Sequence, residues 1–175
     1  MKYVSGVNEL LRFIVIGLFP EGGDTAMDMT LGNGHDTDFL SGIFKNVVAL
    51  EIQKEAVDKY IPPENVRVYN MDHGEAGVLD VKPDLVVYNL GYLPGGEKTI
   101  TTKAETTIKS LDAVLKMMNS GGFVVITLYY SHDNGLEAGK VLEYVRNLPL
   151  MFGVMHHQFI NRGNEPPSLI VIEKR

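Results

Sequence analysis

The sequence predicts an α/β fold built on a mostly parallel sheet, and three observations carry that prediction. Short β-rich runs alternate with helix-period segments along almost the whole chain, the order that βα units produce. A glycine-rich turn around Gly32-Asn33-Gly34 joins the first strand to the helix behind it. The chain closes on two further β-rich runs, read as an antiparallel pair at the sheet edge. Seven strands are expected in all, the last of them antiparallel.

Taken in order, the first segment is an apolar run from Phe13 to Phe19. It is far shorter than the roughly 20 residues that span a bilayer, and Asn8, Glu9 and Arg12 precede it, so a helix packed on the domain is expected. Residues 25–30 read as the first strand and residues 35–44 as a helix. Residues 46–51 form the second strand and 54–60 the next helix, which Pro62-Pro63 stops because proline lacks the N–H and clashes with the preceding turn. Residues 66–69 and 85–90 are the third and fourth strands. A long loop leads to a helix over 102–118, where Ile108, Leu111, Leu115 and Met118 make an apolar stripe. Gly121-Gly122 ends it. Residues 123–129 are the fifth strand, 136–148 a helix, and 154–159 and 168–172 the closing pair.

The chain has 175 residues, 45% hydrophobic and 22% charged, which suits one globular domain over residues 1–175. It contains no cysteine, which excludes disulfides, thiolate metal sites and a cysteine nucleophile. The five histidines are too scattered to make a metal cluster by spacing, so no metal is expected. A formal net charge of -6 argues against holding nucleic acid by bulk electrostatics, though not against a local RNA-docking patch. A cytoplasmic location is expected.

The strongest local signal runs from Asp28 to Thr37, D-M-T-L-G-N-G-H-D-T, at the strand-to-helix junction where a doubly wound sheet binds its ligand. Gly32 and Gly34 permit backbone angles or a close approach that a side chain would block. A lone G-x-G is often only a tight turn. Here Glu51 ends the second strand, placed to accept both hydroxyls of a ribose, and Asp72 follows the third strand within reach of an adenine amino group. In that order the three features favour an adenosine site. Thr37 replaces the small third residue of a dinucleotide fingerprint, and Asp28 and Asp36 would repel a pyrophosphate. S-adenosylmethionine therefore fits better than NAD.

The second signal is Y-N-L-G-Y-L-P-G-G-E-K-T-I-T-T, Tyr88 to Thr102. Asn89-Leu90-Gly91-Tyr92 resembles the N-P-P-Y loop of amino-group methyltransferases. The resemblance implies that the Asn carbonyl and a backbone carbonyl accept hydrogen bonds from the target amine and aim its lone pair at the methyl group. An alkylamine is mostly protonated at neutral pH, so such a site must bind the neutral form or remove a proton. Tyr129 and His132 lie at the same carboxyl edge, and an imidazole titrates in a range suited to that task. A loop histidine without a role is an equally good reading of His132.

These two segments, with the closing F-I-N-R-G-N-E-P-P-S-L-I-V-I-E-K-R, resemble the bacterial MnmM family from about Asp28 to the C-terminus. The resemblance implies a Rossmann-like class I methyltransferase. It also implies methyl transfer from S-adenosylmethionine to the aminomethyl nitrogen of 5-aminomethyl-2-thiouridine at the tRNA wobble position. Nothing is carried over to the residues before Gly22. The expected cofactor wall comprises Asp28, Thr30, Gly32, Asn33, Gly34, His35, Asp36, Thr37, Glu51, Ile52, Asp72, His73, Asn89 and Leu90. Asn89, Tyr92, Tyr129 and His132 are the catalytic candidates. Gly91, Leu93, Pro94, Thr101, Asn161 and Arg162 are the substrate candidates. Lys98, Lys103 and Lys109 could also meet a nucleotide, a solvated helix face being the better reading of Lys109. The partner implied is a tRNA anticodon arm, and a homodimer is expected because so small a domain offers little surface to it. The competing functions are methylation of rRNA or another amine, an NAD-dependent oxidoreductase, and a non-catalytic scaffold.

Overall fold

The computed structural model describes residues 6–91, 95, 100–131, 133–163 and 165–175. Seven strands are present among them: β1 (Gly23–Asp28), β2 (Phe44–Glu51), β3 (Val66–Asn70), β4 (Leu85–Asn89), β5 (Phe123–Leu128), β6 (Phe152–His157) and β7 (Ser168–Lys174). They form one sheet in the order β3-β2-β1-β4-β5-β7-β6. The pairs β1–β2, β1–β4, β2–β3 and β4–β5 are parallel, whereas β7 runs antiparallel to both β5 and β6. The mostly parallel sheet with an antiparallel last strand is thus as the sequence predicts.

Five α-helices among the described residues cover the sheet: α1 (Val7–Leu18), α2 (His35–Ser41), α3 (Lys54–Lys59), α4 (Ala104–Met117) and α5 (Leu136–Arg146). Alternation along the central strands feeds two cores. Val86 and Tyr88 join Leu111, Val114 and Val141 on one face, beneath α4 and α5. Leu85 and Val87 join Leu11, Val15 and Leu40 on the other, beneath α1 and α2. In α1, Val7, Leu11 and Val15 recur every fourth residue and are all buried, the stripe that docks a helix on a sheet. No helix among the described residues is long and apolar enough to cross a membrane.

Strand order reverses between β1 and β4, since the chain runs outward from β1 to β3 before crossing back to β4. A crevice opens outside the carboxyl ends of the strands at such a reversal. Two local differences from the expected elements bear on it. β1 ends at Asp28 rather than residue 30: the Asp28 carboxylate accepts the Thr30 N–H at 3.0 Å, while the Met29 and Leu31 N–H groups still donate to the Val87 and Leu50 carbonyls at 2.9 Å. A short 3-10 helix (His73–Val78) also follows β3. It is too brief and glycine-rich to show a period, and Asp72 caps it by accepting the Gly74 N–H at 2.7 Å.

Candidate active site

A cavity of about 870 Å³ occupies the crevice at the carboxyl ends of β1, β2 and β4. Its walls are the turn after β1, the ends of β2 and β3, and the segment after β4. Thr30, Gly32, Asn33, His35, Asp36, Glu51, Ile52, Asp72, His73, Asn89, Leu90, Gly91, Thr101 and Tyr129 all line it. Residues from five parts of the sequence therefore meet in one space.

The turn is built around two carboxylates. Asp28 is fully buried, and its oxygens accept from Thr30 N at 3.0 Å and Thr37 Oγ1 at 2.6 Å. Burial, reinforced by the charge of Asp36, pushes the Asp28 carboxyl up to about 7. Asp28, Gly34 and Thr37 do not line the cavity: they frame the turn from behind. Gly34 adopts a left-handed φ of +81°, and a Cβ there would run into the Tyr60 ring. Glu51 faces the cavity and ties β2 to the turn, accepting from Gly32 N at 3.0 Å and Gln53 N at 2.8 Å.

These bonds decide what the turn can offer a ligand. The Thr30, Gly32 and Gly34 amides donate to Asp28, Glu51 and the Leu31 carbonyl respectively. They are therefore not turned toward a pyrophosphate, whose cradle is made of free backbone N–H groups. The cavity wall instead carries the carboxylates of Asp36, Glu51 and Asp72, with Arg12 and Lys103 as its two cationic side chains among the described residues. A ligand with cationic centres and a ribose suits that wall. Each Glu51 oxygen engages one N–H and keeps a further lone pair for a ribose hydroxyl. The donor set fits S-adenosylmethionine.

At the end of β4, Asn89 is held from two sides. Its N–H donates to Thr30 Oγ1 at 2.8 Å, and its Nδ2 donates to Asp36 Oδ2 at 3.0 Å. Asp36 is an acceptor and so selects the amide orientation, which leaves Asn89 Oδ1 as the remaining acceptor. Gly91 follows with φ +138°, and Tyr129 stands beside it, a Gly91 Cβ falling 3.9 Å from its ring. Burial, then Asp36, raises the Tyr129 phenol above its ordinary value, so it stays neutral. His73, nearly buried in the wall beyond Asp72, is lowered by burial despite three nearby carboxylates.

Tyr92, Leu93, Pro94, Lys98 and His132 lie outside the described residues. Asn161 and Arg162 are described but do not line the cavity; the Arg162 guanidinium sits 4.0 Å above the Phe159 ring. Lys109 pairs with Glu75 on an exposed face. Lys103, which the sequence offers for a nucleotide, lines the cavity, and Asn8 and Arg12 of α1, with Gln53, Thr102 and Thr106, are cavity-lining residues outside the expected site set. Asn8 and Arg12 stand four apart and so share one face of α1, but the polar Glu9 on the same helix lies off the cavity, so polarity alone does not single them out.

Residues 47–173 match the family model described as "Putative rRNA methylase". The chain belongs to that family. Its fold superposes on a Clostridium thermocellum protein described in the same words, with a TM-score of 0.91, 32% identity and 98% of each chain covered. A Streptococcus mutans protein described as "a putative methyltransferase", in complex with S-adenosylhomocysteine, gives 0.83 at 31% identity over 93% of this chain and 97% of that one. An Arabidopsis thaliana chloroplastic tRNA (mnm(5)s(2)U34)-methyltransferase is 29% identical over 87% of this chain, which spans 64% of that relative's length. The fold is that of the class I methyltransferases.

Proposed function

We propose that the protein transfers a methyl group from S-adenosylmethionine to the aminomethyl nitrogen of 5-aminomethyl-2-thiouridine at the wobble position of tRNA. The observation that carries this reading is the orientation of Asn89. With Nδ2 committed to Asp36, its Oδ1 can only accept a hydrogen bond, as an amine N–H requires and an aromatic carbon or phosphate acceptor does not. The tRNA relative and the sequence resemblance support the same nucleoside. The acid-lined cavity supports the donor.

In the proposed arrangement Glu51 accepts the ribose hydroxyls and Asp72 lies at the adenine end. When bound, S-adenosylmethionine supplies a methyl group on a positively charged sulfur, already activated for transfer. The protein's task is then positioning. Asn89 Oδ1 holds the amine through an N–H, which directs its lone pair into the cavity. Asp36 acts at one remove, through Asn89. The amine must be neutral when it attacks, and the resulting ammonium releases a proton afterwards. Tyr129 and His132 are the proposed groups at that edge. The neutral Tyr129 phenol shapes the site, and His132 accepts the proton.

Nucleoside mass spectrometry of tRNA from a strain lacking the gene tests the reading. Accumulation of 5-aminomethyl-2-thiouridine with loss of its methylaminomethyl form is expected. An unchanged wobble nucleoside alongside a missing rRNA methyl group would transfer the reaction to rRNA.

A further inference from the structure

Behind the cavity wall lies a second buried carboxylate, Glu137, in the first turn of α5. Only 1% of it is exposed. It contacts two threonines from the α4 side. Thr102 Oγ1 donates to Glu137 Oε2 at 2.6 Å, and Thr107 Oγ1 donates to Oε1 at 2.7 Å. A threonine hydroxyl has one hydrogen, so each, having given it to Glu137, faces outward as an acceptor. Thr102 Oγ1 accepts the Gly91 N–H at 2.9 Å, and Thr102 N–H donates back to the Gly91 carbonyl at 3.0 Å. Thr107 Oγ1 lies 3.3 Å from His73 Nε2 and, by the same count, must accept from it. That assigns the Nε2–H tautomer to His73.

We propose that Glu137 is a positioning residue for methyl transfer, holding the acceptor segment at Gly91 through Thr102 and the His73 wall of the donor pocket through Thr107. This role rests on the functional reading above. Glu137 reaches the two halves of the site through those two hydroxyls. What it contributes is a direction to each hydrogen bond: one acidic side chain forces both threonines to present lone pairs, one to each half of the site.

Glutamine is nearly isosteric yet cannot accept from both threonines. Its amide has one accepting oxygen and one donating nitrogen. Where Thr102 meets the NH2 it must accept from it, turning its own hydrogen toward the Gly91 N–H and losing that bond; where Thr107 does, His73 keeps its bond only by switching to the Nδ1–H tautomer. Threonine-to-valine changes remove one arm at a time, and serine restores the hydroxyl.

The test compares wild type with Glu137→Gln, Thr102→Val, Thr102→Ser and Thr107→Val. It reads S-adenosylhomocysteine affinity by calorimetry, kcat and KM on aminomethyl-bearing tRNA, and hydrogen exchange at the Gly91 amide. Thr102→Val should lower kcat about tenfold or more and speed Gly91 exchange, with cofactor affinity within about twofold, given the strength of hydrogen bonds in a charged network. Thr102→Ser should recover most of that turnover. Thr107→Val should weaken S-adenosylhomocysteine about fivefold or more. Glu137→Gln, while folded, should either speed Gly91 exchange or move the His73 proton from Nε2 to Nδ1, read by nitrogen NMR of the imidazole. Variants that lose only melting temperature, keeping kcat, affinity and Gly91 exchange at wild-type values, would overturn the proposal. A wild type inert on this tRNA would instead defeat the substrate reading. Gly91 exchange and cofactor affinity would then decide the role of Glu137 by themselves.

Discussion

Replacing Asp28 with asparagine should make the free protein more stable at neutral pH, by an amount that depends on pH. In the native state the Asp28 carboxyl is wholly buried and pushed from 3.8 up to about 7. Between those values the folded protein holds a proton that the unfolded chain has released. Stability therefore falls as pH rises through this window and levels off above about 7. At about 1.4 kcal/mol per pKa unit, the full effect is at most about 4 kcal/mol, reduced by whatever the turn relaxes. The asparagine amide stays neutral at every pH and keeps a polar group opposite Thr37. Urea unfolding of both proteins without cofactor, from about pH 5 to about pH 8, should show the advantage of Asp28→Asn widening by about 3 kcal/mol. A difference that is flat with pH would refute the buried, protonated carboxyl.

Other substitutions separate the two halves of the site. Glu51→Ala should weaken S-adenosylhomocysteine binding by about 1.5–3 kcal/mol, measured by calorimetry, because it removes the charged acceptor proposed for the ribose. Asn89→Ala should abolish most turnover with cofactor affinity near wild type; joint loss of both would move Asn89 into the donor pocket. Asp36→Ala should reproduce the turnover defect of Asn89→Ala, since it frees the amide that Asp36 orients, and their double variant should lose little more. Gly34→Ala should lower the melting temperature through a strain of at least about 1–2 kcal/mol at φ +81°, aggravated by the Tyr60 ring.

Much of this was legible in the residues. The alternation of β-rich and helix-period runs and the terminal pair 154–159 and 168–172 predict the sheet, because period and length are local properties. Gly32, Glu51, Asp72 and Asn89 could be placed in one crevice because strand ends at a topological switch point converge. The bonds of Asp28 were not legible: that it faces Thr30 and Thr37 rather than the cavity depends on a side-chain rotamer. Glu137 was invisible for a related reason. It sits where an amphipathic helix ordinarily has a solvated acid, and only the packing of α5 against α4 buries it. Asn8 and Arg12 reach the cavity from a helix whose apolar stripe points to packing alone.

The most direct measurement is made with purified protein and S-adenosylmethionine carrying a labelled methyl group, added to tRNA bearing 5-aminomethyl-2-thiouridine at the wobble position. After digestion, the label should appear on the aminomethyl nitrogen, as 5-methylaminomethyl-2-thiouridine, and Asn89→Ala should transfer little. Label absent from that nitrogen while wild-type protein binds S-adenosylhomocysteine and methylates rRNA would contradict the wobble-amine assignment.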